Sequence, residues 1–167
     1  AEKLNIDFAV TPFSKQGADF LVEKLNVDFI KVASMDHNNI PFLENLVNAI
    51  HSPILISFGM ADLEDIHLAI ETLSTHKYGV GMFHCVSIYP PSPDEFRLSN
   101  IRYFYENFKV PVGFSDHSDD TVTSLAAFVL GARFFEKHIT LDRNLPGPDH
   151  PFSRTTGQPG AVQSVSC

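Results

Sequence analysis

Apolar residues recur along the chain in two alternating rhythms. Short β-rich runs stand at Phe8–Val10, Phe29–Ala33, Ile54–Ser57, Val80–Cys85, Val110–Phe114 and Ala132–Ile139. Between them, apolar positions return every three to four residues, the spacing of one helix face. Ala18, Leu21, Val22 and Leu25 predict a first helix capped by Ser14. Phe42, Leu43, Leu46, Val47 and Ile50 predict a second, opened by Pro41. Leu63, Ile66, Ala69, Ile70 and Leu73 predict a third behind Asp62. Ile101, Phe104, Tyr105 and Phe108 follow Ser99. Val122, Leu125, Ala126 and Val129 predict the last, which Gly131 is placed to end. Strict alternation of strand and helix predicts a parallel sheet.

Two closures of such a sheet compete. An open dinucleotide-binding sheet carries a glycine-rich phosphate loop after its first strand, and this chain has neither GxGxxG nor GxxxxGK. Instead, polar reactive residues stand at the end of nearly every predicted strand. These are Thr11, Lys31 with Ser34, Ser57, His84 with Ser87, Ser115 with His117, and Glu136 with His138. Functional groups spread over many strand ends mark the top face of a TIM (β/α) barrel, which is the predicted fold. Past Ser153 the periodicity stops, and residues 154–167 are expected to form an unstructured tail.

Composition narrows the function classes. Of 167 residues, 44% are hydrophobic and 19% charged, enough to bury a core. Twelve Lys and Arg against twenty Asp and Glu give a net charge of −8, with no basic cluster. That argues against nucleic acid and anionic membrane surfaces as partners. No apolar run approaches the ~20 residues of a membrane span, and no signal-peptide pattern opens the chain, so a cytoplasmic location is expected. Cys85 and Cys167 form neither a disulfide framework nor a zinc motif. Cys85 is expected to be an inert core thiol.

The densest chemistry lies in Ser115-Asp116-His117 and Glu136-Lys137-His138. Residues i and i+2 of a strand share a face, and the two strands are consecutive. Two imidazoles and a carboxylate would then converge at one rim, a donor set suited to a divalent metal. Two unrelated, hydrogen-bonded histidines are the alternative. Lys31, inside an apolar strand, must snorkel out or meet an anion, either a phosphate or carboxylate ligand or a neighbouring strand's carboxylate. Thr11, Ser57 and Ser115 could add hydroxyl donors to that anion. Asp36 lies in a polar loop that suits a polyhydroxylated substrate or, alternatively, a capping turn. Tyr89 opens a long loop and can line a pocket. Asp149, in the rigid loop Pro146–His150, can accept sugar hydroxyls or merely stiffen a connector. His37, His51, His67 and His76 are expected at the solvated surface.

Taken in order, VTPF (residues 10–13), FIKVAS (29–34), SFGMADLEDI (57–66), HCVSIYP (84–90), VGFSDH (112–117) and FEKHITLDRNLPGPDH (135–150) resemble the sialic acid synthase family. That family includes N-acetylneuraminate, legionaminic acid, pseudaminic acid and spore-coat polysaccharide synthases. The resemblance implies that residues 1–153 form an incomplete TIM barrel, strands three to eight of eight, without the family's first two strands or its C-terminal domain. It implies a cytoplasmic C–C bond-forming transferase of carbohydrate biosynthesis. Such an enzyme condenses phosphoenolpyruvate with an N-acetylhexosamine, such as N-acetylmannosamine, to a nine-carbon 2-keto sugar acid and phosphate. By the same resemblance His117 and His138 are ligands of a divalent metal, Mn²⁺ or Mg²⁺. Glu136 is the carboxylate beside the metal, and Glu136, Lys31 and His138 form the catalytic set. Thr11, Lys31, Ser34, Ser57 and Ser115 hold phosphoenolpyruvate, while Asp36, Ser87, Tyr89 and Asp149 complete substrate binding. Full-length members are expected to be homodimers. A non-catalytic fragment that only binds metal, ligand or intact subunits is the alternative. A metal-dependent barrel hydrolase, which would ignore phosphoenolpyruvate, is the competing enzyme class.

Overall fold

The structure is a computed structural model that describes residues 1–155 except Asn26 and Asp119. Five helices alternate with the strands of a six-stranded sheet whose strand order is the order of the sequence. The strands are β1 (Ala9–Val10), β2 (Phe29–Val32), β3 (Ile54–Phe58), β4 (Val80–His84), β5 (Val112–Asp116) and β6 (Phe135–Lys137). The helices are α1 (Lys15–Lys24), α2 (Ile40–Ala49), α3 (Leu63–Leu73), α4 (Ser99–Asn107) and α5 (Val122–Val129). The chain divides into two compact units, Ala1–Phe83 and His84–Cys167. Among the described residues no helix is long and apolar enough to cross a membrane.

In the first unit β1 pairs with β2, and β2 with β3, all in parallel. Ile30, Val32, Ile54 and Ile56 are fully buried, and α2 and α3 contribute Leu43, Leu46, Ala69 and Leu73. The helix starts follow local chemistry. Ser14 Oγ accepts from the Gly17 amide, and Asp62 Oδ1 accepts from the Asp65 amide. Each satisfies a donor that the first helical turn leaves open. Helix α2 matches its predicted face closely, with Phe42, Leu43, Leu46 and Ile50 buried. Helix α1 does not: Ala18 and Leu21 are buried, but Val22 and Leu25 are exposed. Two expected surface histidines are also buried. His37 lies between the Ser34 carbonyl and Asp65 Oδ2, and His76 between the Val47 and Ser52 carbonyls. Oxygen acceptors around each ring make these positions habitable for imidazole.

In the second unit β5 pairs with β6 in parallel. Ile101, Phe104 and Phe108 of the α4 region are buried, together with Val112 and Phe114 of β5. Strand β5 begins after Pro111, two residues later than the sequence suggests, because proline has no amide for the ladder. The close approach of the segment before β6 requires Gly113: a Cβ there would enter the Phe134 ring and lie 2.7 Å from its carbonyl oxygen. Gly131, at φ +118°, follows α5 in the left-handed conformation expected of a helix end.

Helix α5 is rotated relative to the expected face. Val122, Leu125 and Val129 are exposed, and the buried residue is Ala127. The cause is polar: Ser124 Oγ donates to Asp116 Oδ2 at 2.5 Å, drawing the small-residue side of the helix toward β5. The predicted last strand also breaks at His138. Ile139–Thr140 forms β7 and pairs in parallel with β8 (Arg154–Thr155) in a separate two-stranded sheet. Arg154 and Thr155, expected to open the unstructured tail, are therefore ordered in a strand. The rest of that tail, residues 156–167, lies outside the described residues.

Candidate active site

The parallel register of β5 and β6 sets Ser115 opposite Glu136 and Asp116 opposite Lys137. Because alternate residues face opposite sides, one pair serves each face. On the first face, Ser115 Oγ donates to Glu136 Oε1 at 2.6 Å. His117 and His138 each follow the last residue of their strand, and their ring centroids are 5.4 Å apart. Sequence spacing predicted this convergence, and the second unit contains it.

The hydrogen bonds assign the proton positions. His117 Nδ1 lies 2.8 Å from the Val86 carbonyl, which can only accept, so Nδ1 carries the proton. Nε2 then holds the lone pair. It lies 3.2 Å from Ser115 Oγ, whose proton is engaged by the nearer Glu136 carboxylate. Burial pushes the His117 pKa down, which the Val86 hydrogen bond only partly offsets. The ring is therefore neutral at neutral pH. His138 Nδ1 lies 3.5 Å from Asp149 Oδ2. In both rings Nδ1 is thus turned to an oxygen, leaving Nε2 as the nitrogen with an available lone pair. That arrangement fits metal-ligating histidines, whose other nitrogen donates to a carbonyl or carboxylate. Among the described residues no three His, Cys, Asp or Glu side chains gather closely enough to hold a metal ion. An ion held by the two imidazoles would complete its coordination with water or substrate oxygens.

Aromatic rings line the same rim. Tyr89 lies against His117 with the two rings tilted at 35° and their centroids 4.3 Å apart, and meets Phe152 at 5.2 Å. Phe152 also meets His138 edge-on at 5.2 Å. Burial, with the nearby Cys85, Asp149 and Glu136, raises the Tyr89 pKa, so its hydroxyl stays a donor. Ser87 is half-buried in the loop between Val86 and Tyr89. Sequence reasoning missed Phe152, which lies in a short 3-10 turn (His150–Phe152) without periodicity. Its position is fixed by a pinned loop. Thr140 Oγ1 meets His150 Nδ1 at 2.7 Å, and Arg143 Nε donates to the Ser153 carbonyl at 2.8 Å.

The remaining expected residues belong to the first unit, at or beyond its strand ends. Thr11 follows β1, Lys31 lies in β2 with Nζ 5.5 Å from the Phe83 ring centre, and Ser57 is in β3. Ser34 Oγ accepts from the Gly59 amide at 3.0 Å. Ser57 Oγ and Asp36 Oδ2 are buried and have no hydrogen-bond partner among the described residues. Such orphans are uncommon in folded proteins. Both are positions that the sequence assigned to substrate.

Residues 1–162 match the NeuB family. The chain belongs to that family. The match runs beyond Ser153, where the apolar pattern ends. The chain is 36% identical over 156 residues to the N,N'-diacetyllegionaminic acid synthase of Legionella pneumophila, covering 90% of this chain and 43% of that protein. It is 34% identical over 159 residues to human N-acetylneuraminate-9-phosphate synthase, covering 95% and 44%. The crystal structure of N-acetylneuraminic acid (sialic acid) synthetase from Leptospira borgpetersenii in complex with citrate superposes with a TM-score of 0.86 at 34% identity. That superposition covers 92% of this chain and 53% of that one. The NeuB chain thus spans under half the length of these curated relatives. These relatives are named as sugar-acid synthases, and the chain shares its parallel α/β architecture with the Leptospira structure.

Proposed function

We propose that this NeuB chain carries the phosphoenolpyruvate and divalent-metal side of a sialic-acid-type synthase, acting with an N-acetylhexosamine as second substrate. The observation that carries the reading is the Glu136–Ser115–His117 hydrogen-bonded chain beside His138. The orphaned oxygens of Ser57 and Asp36 support it independently, since a phosphate or carboxylate oxygen would accept from Ser57 Oγ and a sugar hydroxyl would donate to Asp36 Oδ2.

In this reading His117 and His138 would hold a divalent metal, Mn²⁺ or Mg²⁺, through their Nε2 atoms. The ion would supply Lewis-acid polarisation of the sugar aldehyde. Ser115 keeps its proton on Glu136, so that the His117 lone pair stays open. Phe152, buried, and Tyr89, half-exposed, wall the rim beside the two imidazoles. Asp149 restrains the His138 ring and offers its second oxygen to a sugar hydroxyl. Lys31 offsets the charge of a phosphate or carboxylate, and Thr11, Ser34 and Ser57 orient it. Bond formation joins the enol carbon of phosphoenolpyruvate to the aldehyde carbon, water adds at the neighbouring cationic carbon and gives one proton to the new alkoxide, and the C–O bond to phosphate breaks as the second proton leaves with phosphate and the ketone forms. A cytoplasmic setting and a homodimeric full-length protein belong to the same reading.

The test is calorimetric titration of phosphoenolpyruvate into the chain with Mn²⁺ present. Lys31→Met is expected to weaken phosphoenolpyruvate at least ~tenfold, the size of a lost charge-assisted contact, with Mn²⁺ affinity unchanged. Equal phosphoenolpyruvate affinity in the variant would instead assign Lys31 to an internal ion pair.

A further inference from the structure

Behind the two imidazoles, on the opposite face of the same strands, lies a polar cluster that the proposed chemistry does not use. Lys137 Nζ is 3.0 Å from Asp116 Oδ2, with the carboxylate side chain fully buried and the lysine side chain 10% exposed. The ammonium also donates to the Ser118 carbonyl at 2.7 Å, to Ser118 Oγ at 3.1 Å and to the Asp120 carbonyl at 2.8 Å. Asp116 in turn accepts from the Ser118 amide at 2.8 Å and from Ser124 Oγ. One lysine on β6 therefore grips the end of β5 and two carbonyls of the loop that follows it.

The placement matters because Asp116 and Lys137 are the last register pair of the two strands. The next residues are His117 and His138, where the ladder has stopped. The β5–β6 ladder does not reach them: His138 is held by the Arg154 amide and the His117 ring by the Val86 carbonyl, and the side chains one residue back join the two strand ends. We infer that Lys137 is a positioning residue: by clamping Asp116 and the loop after His117 to β6, it sets the distance between the two imidazoles. This rests on the proposed metal reading for its main readout.

The experiment titrates Mn²⁺ alone into the wild-type chain, Lys137→Met, Lys137→Arg and the paired variant Asp116→Asn/Lys137→Met, by calorimetry, with thermal melting recorded for each. The paired variant removes both charges together, so no unpaired charge is left buried, and its melting curve shows whether the fold is kept. Positioning predicts a ~10–100-fold loss of Mn²⁺ affinity in Lys137→Met and in the paired variant, the range seen when outer support of a metal ligand is removed. Lys137→Arg should restore most of the affinity. The sign is discriminating, because loss of a nearby positive charge by itself would tighten cation binding. Wild-type affinity in the folded paired variant, or tighter binding in Lys137→Met, overturns the inference. If the wild-type chain binds no Mn²⁺, the metal reading fails and nitrogen-15 NMR of the imidazoles decides the positioning separately. Resonances of both His117 and His138 that shift in the paired variant and return in Lys137→Arg support it; unmoved resonances overturn it.

Discussion

The two units present their functional residues in opposite states. In His84–Cys167 the side chains at the ends of β5 and β6 meet protein partners: Ser115 bonds Glu136, His117 bonds the Val86 carbonyl, and His138 faces Asp149, while among the described residues His84 of β4 bonds Phe96 through one ring nitrogen only. In Ala1–Phe83, Ser57 Oγ and Asp36 Oδ2 are buried without hydrogen-bond partners among the described residues. The first pattern is a preformed constellation held by protein contacts. The second stores an unmet demand for hydrogen bonds that a ligand can meet. A buried polar atom left unpaired costs about 1–3 kcal/mol, so the units should answer opposite signs to the same kind of mutation.

Ser115→Ala should give the largest effect. It leaves Glu136 without its hydroxyl donor and should destabilise the protein by about 1–3 kcal/mol, measured by urea unfolding. An unchanged midpoint would break the claim that this site is held together by its own contacts. A smaller effect is expected from acid. Burial pushes the His84 pKa down from its ordinary value. Nε2 donates to the Phe96 carbonyl at 2.8 Å while Nδ1 has no hydrogen-bond partner among the described residues. The folded protein thus binds fewer protons here than the unfolded chain. Stability from this group is full above the unfolded pKa near 6.5 and falls as pH drops toward the lower folded value. Its slope is at most about 1.4 kcal/mol per pH unit. His84→Gln, which keeps a donor for Phe96 and cannot titrate, should flatten melting temperature against pH between 7 and 5. An identical profile would remove His84 as the cause. The smallest effect should be Ser57→Ala. Removing an unsatisfied hydroxyl should leave stability unchanged or raise it by up to about 1 kcal/mol, while weakening phosphoenolpyruvate. A loss of stability like that of Ser115→Ala would erase the contrast between the units.

The second unit's convergence was legible in the sequence because strand geometry is periodic: two i, i+2 patterns on consecutive strands meet whenever the strands pair in register. The expected α/β alternation and the caps at Ser14 and Asp62 follow from equally local rules. What was not legible depended on contacts distant in sequence. Apolar spacing pointed Val122, Leu125 and Val129 inward, but Asp116 claims Ser124 and turns α5 the other way. His37 and His76 are buried because distant oxygens receive them. Phe152 reaches His138 only because Thr140, Arg143 and Ser153 pin a proline-rich loop that carries no periodic signal. Lys137 was visible inside the EKH motif, yet its role appears only once its four oxygen partners are known.

The central claim is that His117 and His138 form one metal-holding pair, and calorimetric titration of Mn²⁺ tests it most directly. The wild-type chain should bind a single ion, and His117→Ala and His138→Ala should each abolish that binding. Stoichiometric Mn²⁺ binding retained in both variants would contradict the account.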